Sequence, residues 1–101
     1  MNIDKERAKA CVGPGWASLI DEIYDILPDD AYILQVKEKF GGLRFYVSSG
    51  KADILDRIYE IENRSLAMCE MCGKPGRPTG KTWIITRCEE HKDVENKMLR
   101  V

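Results

Sequence analysis

Four residues constrain this chain more than any others: Cys69, Cys72, Cys88 and His91, in the pattern C-x2-C-x15-C-x2-H. Two closely spaced pairs of thiol and imidazole donors match a closed, four-ligand structural zinc site. A gap of two residues lets both sulfurs of a knuckle reach one ion. Gly73 stands where the chain must then turn tightly with its amides toward sulfur. In the second pair, residues three apart share one face of a helical turn. Thr86 and Glu89 read as a capping box, T-x-x-E, that starts a helix at about residue 87. Cys88 and His91 would project from its first turn, and Val94 and Met98 would continue the same face inward. Between the pairs, Pro78-Thr79-Gly80 has turn chemistry and precedes a strand through Trp83 and Ile85, with Trp83 expected over the metal. Knuckle, hairpin, helix is the order of a treble clef. The predicted cofactor is a structural Zn2+. The competing readings are weaker. Buried reduced cysteines would meet this spacing only by coincidence, and a redox C-x-x-C opens a helix, whereas Cys69 and Cys72 are predicted to follow one.

A staple of this kind suits the size of the chain. At 101 residues it reads as one domain with a modest core, where a metal is a common supplement. Its apolar share of 44% and charged share of 33% fit a folded globular protein. No apolar run approaches the length of a membrane span. The start, MNIDKERAKA, lacks the apolar stretch of a signal peptide, so the expected location is the cytoplasm, where thiols stay reduced. The formal net charge of −1 hides an uneven distribution. Between residues 31 and 51, Lys37, Lys39, Arg44 and Lys51 face the single acid Glu38, and the stretch after residue 68 also has a basic excess. Neither patch approaches the strongly basic character of an obvious nucleic-acid binder.

The predicted class is α+β. It comprises N-terminal helices, a β-hairpin packed by a helix, and the zinc finger, with residues 1–68 forming the first part of the domain and 69–101 the second. Asp4 can cap a short helical turn through Cys11, and VGPG breaks it. Pro14 suits the first turn of a second helix, in which Trp16, Leu19, Ile20, Ile23 and Leu27 recur at helical spacing with Asp21, Glu22 and Asp25 outward. LPDD ends that helix. In AYILQVKEKFGGLRFYVSSG, two β-rich runs flank Gly41-Gly42, which predicts a two-residue turn there. That register pairs Phe40 with Leu43, Glu38 with Phe45, Val36 with Val47, and Lys39 with Arg44. It puts Leu34, Val36, Phe40, Leu43, Phe45 and Val47 on a core face with Glu38, whose expected partner is Arg57 or Arg64. Gln35, Lys37, Lys39, Arg44 and Tyr46 fall on the other face. A helix over 51–68 presents Ile54, Leu55, Ile58, Ile61 and Leu66 to the hairpin. Trp16 is expected as a core anchor, and Cys11 as a small buried hydrophobe.

Catalysis is disfavoured. CEMCGKPG and CEEHKD look like the zinc-binding flanks of HNH-type nucleases, but such enzymes need a further histidine as general base. His91 is the only histidine. Asp93 and Asn96 are poor substitutes, and the same shortage removes Ser–His–Asp and Cys–His schemes. The zinc-deaminase pattern is also missing. GPGW, QVKEKFGGLRFYV and CEMCGKPG…TWIITRCEEH together resemble a family of small proteins found widely in phages and prophages, over roughly residues 11–91. The resemblance implies a compact zinc-binding α+β protein of viral or mobile-element origin, without an established activity and with no catalytic residues to carry over. The expected function is therefore a non-enzymatic binding module. Its first candidate partner is a host or phage protein, and its second is a nucleic acid. The candidate binding surface is Lys37, Lys39, Arg44 and Tyr46 on the hairpin, with Lys74, Arg77 and Lys81 beside the zinc.

Overall fold

Asp4 opens the first helix as its sequence suggests: the carboxylate accepts a hydrogen bond from the Arg7 amide at 2.8 Å, satisfying one orphan donor of α1 (Lys5–Ala10). The computed structural model describes residues 2–48 and 51–92. Pro14–Trp16 then forms a 3-10 turn that leads into α2 (Ala17–Ile26). Trp16, Leu19, Ile20 and Ile23 are fully buried, while Leu27 is half-buried. Each such aliphatic side chain removed from water stabilises the fold by roughly 1.5–3 kcal/mol. Cys11 is exposed rather than buried, and its thiol donates to the Arg7 carbonyl at 3.3 Å.

The hairpin turns one residue earlier than its glycines suggest. β1 (Ile33–Lys39) and β2 (Gly42–Val47) pair Lys39 with Gly42, Glu38 with Leu43, Lys37 with Arg44 and Val36 with Phe45. Phe40 and Gly41 therefore occupy the two-residue turn, with φ of 53° and 81°. Positive φ at both central positions is what a type I′ turn requires. Gly41 is fixed in that turn by Glu38, whose carboxylate accepts from its amide, and by Thr86, whose hydroxyl donates to its carbonyl. An irregularity between Ile33 and Gln35 adds one residue to β1, so Ile33 and Val36 both face inward although three apart. Leu34 and Phe40, predicted in the core, are instead 58% and 66% exposed. Gln35, Lys37, Lys39, Arg44 and Tyr46 do share the opposite face, but Lys37 and not Lys39 stands across from Arg44.

Helix α3 (Ala52–Ser65) covers the hairpin through Ile54, Ile58 and Ile61, which join Val36, Leu43 and Phe45 in one core with α2. Leu55 and Leu66, predicted on that stripe, lie largely outside it, and Ser65 takes the last buried position. The reason is a backbone one. The outward amides of β2 need partners, and α3 supplies them: Leu43 N donates to Ser65 Oγ at 2.8 Å and Phe45 N to Glu62 Oε2 at 2.7 Å. Arg64 is held by Glu22 of α2 in a two-point pair at 2.7 and 2.8 Å. Glu38, for which an arginine partner was expected, instead accepts from the Gly41 amide at 2.8 Å and closes the turn. A second small antiparallel sheet, β3 (Arg77–Thr79) with β4 (Ile85–Arg87), follows. The architecture is mixed α and β, and no helix among the described residues is long and apolar enough to cross a membrane.

Candidate metal centre

Cys69 leaves the end of α3 through Met68 and is fully buried. The Gly73 amide donates to Cys69 O and the Cys69 amide to Lys74 O, both at 2.8 Å, which folds residues 69–74 into a knuckle. Gly73 takes φ 83°, a conformation that residues with a Cβ rarely adopt. Cys88 follows β4 directly, and a turn closed by His91 N donating to Cys88 O at 3.2 Å returns the imidazole to it. The four ligand atoms all lie within 4.8 Å of one another. Cys72 Sγ is 3.6 Å from Cys88 Sγ, and His91 Nδ1 is 3.6 Å from Cys69 Sγ and 3.2 Å from Cys88 Sγ. A tetrahedral ion with sulfur and nitrogen ligands at its usual bond lengths has edges of about 3.5–3.8 Å. The cluster thus fits a single metal ion.

Its electrostatics agree. Burial opposes ionisation of Cys69, but the amides of Cys88, Cys72 and Met71 aimed at its sulfur bring the thiol down to about 6. The Lys74 amide favours the Cys72 thiolate. Local desolvation by its neighbours and the sulfurs of Cys88 and Cys69 outweigh it and raise this exposed thiol. Several thiolates in one small volume require a cation to coexist.

The predicted helix at residue 87 is not what carries Cys88 and His91. Thr86 lies in β4, its amide donating to Glu70 Oε2 and its hydroxyl to Gly41 O, so it caps nothing. Residues 89–92 form turns, and Asp93, Val94, Asn96 and Met98 lie outside the described residues. Pro78 and Thr79 belong to β3, and the connection to β4 runs through Gly80–Ile84. Trp83 sits in that connection, 46% exposed, and with Phe40 lines a groove away from the ligands rather than covering them.

Two supports were not foreseen. The first is GPGW. Gly15 N donates to Glu70 O at 2.8 Å and Trp16 Nε1 to Met68 O at 2.9 Å, so this loop is the bed of the knuckle. A Cβ at Gly13 would stand 2.2 Å from Glu70 O, which is why no side chain fits there. The second is an ion pair between Glu70 and Arg87, both side chains at 0% exposure, with Nη2 to Oε1 at 3.5 Å. Arg87 Nη1 also donates to His91 O at 3.1 Å. The pair therefore joins the knuckle, β4 and the histidine turn. Burial pushes the Glu70 carboxyl up, while the Thr86 amide and Arg87 pull it down less strongly. Nothing in CEMC or TRCEEH separates these two charges from solvated ones before the chain is folded.

Of the surface candidates, Lys37 and Arg44 are half-buried on the outward hairpin face, and Lys39 and Tyr46 are exposed there. Lys74 is exposed and paired with Glu90 at 3.0 Å; Arg77 on β3 and Lys81 before Trp83 are exposed. No protein-family model matches the chain, and no curated protein and no solved structure matches it.

Proposed function

We propose that this chain is a non-catalytic binding module whose C-terminal part is stapled by one structural zinc ion on Cys69, Cys72, Cys88 and His91, in the knuckle-and-hairpin order of a treble clef. The observation that carries this reading is the convergence of four soft or borderline donors to within 4.8 Å of one another. Three thiolates and an imidazole leave a tetrahedral ion without an open position for water. They also engage the only histidine, which leaves an HNH-like reaction without its usual base. On the resemblance to small phage and prophage proteins, the module would act in a bacterial cytoplasm.

The recognition surface in this reading is the outward hairpin face. Lys37 stands directly across from Arg44, a like-charge pair that the single carboxylate of Glu62 beside Arg44 offsets only in part, so a further anion on this face would stabilise it. The partner is accordingly an anionic macromolecule. The deciding experiment is metal analysis after native purification, followed by chelation. About one zinc per chain is expected, and removing it should expose residues 69–92 to protease, since metal binding and folding are one equilibrium in sites of this kind. A metal-free chain with an unchanged melting curve would refute the staple.

A further inference from the structure

The tip of the first hairpin carries a bulky aromatic residue where the turn prefers a small one. Phe40 holds φ 53° at a type I′ position that favours Asn, Asp or Gly. A strained backbone of this kind persists only where its surroundings over-determine it, and here they do. The Gly41 amide donates to Glu38 Oε2, the Gly41 carbonyl accepts from the Thr86 hydroxyl, and a Cβ at Gly41 would stand 2.9 Å from Thr86 Oγ1 and 3.1 Å from Ile84. The turn is thus clamped onto β4 at Thr86, two residues before Cys88. The strain gains nothing for the core, because Phe40 is 66% exposed.

Trp83, 46% exposed, lines the same groove of about 260 Å³ as Phe40, together with Glu38, Lys39, Thr82 and Ile84. The Lys39 ammonium lies 5.6 Å from the Phe40 ring centroid, close enough for a cation–π contact. Lys39 also belongs to the face of Lys37, Arg44 and Tyr46, and Lys81 adjoins Thr82 in the chain. Exposed aromatic faces within a cationic track are the two elements by which single strands are held: bases stack, phosphates pair. An acidic protein surface would use the cations but would not need two exposed rings set on the walls of one groove.

We infer that this groove is a binding site for single-stranded nucleic acid, one or two bases entering between Phe40 and Trp83 while Lys37, Lys39, Arg44 and Lys81 contact the backbone. The inference rests on the binding-module reading above, and the groove adjoins the staple because β4 holds the Phe40 turn through Thr86 and runs directly into Cys88.

The test is fluorescence anisotropy of the full, zinc-loaded chain with a labelled 12-nucleotide DNA or RNA strand and with the matching duplex, at 50 and 200 mM salt, with zinc content measured for every variant. The single strand should bind more tightly than the duplex and weaken as salt rises. It should also quench Trp83 emission, leaving that of the fully buried Trp16, so that Trp83→Phe abolishes the quench but keeps binding. Loss of a stacking platform in Trp83→Ala should weaken binding roughly 5- to 100-fold. Phe40→Asn separates the site from the fold: it should raise the melting temperature by relieving the turn and weaken strand binding by a similar factor, with zinc retained. Absence of single-strand binding at 50 mM salt overturns the inference. So does equal affinity for duplex, or strand binding indifferent to Phe40→Asn and Trp83→Ala with zinc intact. A chain that lacks zinc yet stays folded and binds the strand refutes the staple and leaves the groove standing.

Discussion

Replacing Gly15 by alanine should cripple a metal site to which Gly15 contributes no ligand. An ideal Cβ there would lie 2.0 Å from Cys69 O, 2.5 Å from Gly73 N and 2.8 Å from Cys72 N. All three neighbours are backbone atoms of the knuckle, so no side chain can rotate away. Real Cβ contacts essentially never fall under 3.0 Å, so the loop and the knuckle must part by about 1 Å, an overpacking strain worth about 1–3 kcal/mol. The separation also loosens Gly15 N to Glu70 O and Trp16 Nε1 to Met68 O, each a net contribution of about 1 kcal/mol. The combined loss is about 3–5 kcal/mol, a large part of the stability of a small domain. With the proposed zinc staple, whose binding is coupled to folding of this part, apparent zinc affinity should fall by about two to three and a half decades at roughly 1.4 kcal/mol per decade. A chelator-competition titration reads the affinity, and guanidinium unfolding reads the stability. Gly13→Ala, with its Cβ 2.2 Å from Glu70 O, should act in the same direction. If a Gly15→Ala chain keeps a zinc affinity and midpoint close to the parent's, GPGW is not the bed of the knuckle.

Ser65→Ala should strand the buried Leu43 amide and cost about 1–3 kcal/mol, read as a lowered denaturation midpoint with the helix content unchanged. Arg87→Met leaves Glu70 buried without its counter-charge and should cost about 3–5 kcal/mol, whereas Glu70→Leu together with Arg87→Met should recover much of that loss; a double variant no better than the single one would count against the pair. Tyr24 donates to Ile3 O at 2.6 Å, and burial, with Asp4 and Cys11 adding to it, raises its phenol from 10.0 to about 12. The folded pKa lies above the unfolded one, so this stabilisation is complete below about pH 10 and is lost as pH rises toward about 12. Tyr24→Phe should flatten that alkaline limb in pH-dependent melting curves.

The parts of this fold that one stretch of chain can specify were legible in the sequence. Asp4 as an N-cap, the buried stripe of Trp16 with Leu19, Ile20 and Ile23 of α2, and the basic outward face of the hairpin all follow from local chemistry or from a repeat of two or 3.6 residues. The four metal-site residues were legible for a different reason: ligand type and spacing report which atoms can reach one ion, whatever chain lies between. Where alternatives were close in energy, tertiary packing decided. Gly41-Gly42 looks like the hairpin turn, and either register buries Leu43 and Phe45, but clamping Gly41 between Glu38 and Thr86 fixed the turn at Phe40-Gly41. That shift by one residue set Phe40 in solvent and turned a predicted core residue into one wall of a groove.

The sequence by itself determined that residues 69, 72, 88 and 91 could meet at an ion, because donor chemistry and short spacings are local properties. Only the tertiary structure decided what holds them there. GPGW lies more than fifty residues before the knuckle it supports, and Glu70 and Arg87 became a pair only when β4 was laid against the knuckle. Such contacts depend on how the intervening chain is routed, which no spacing encodes.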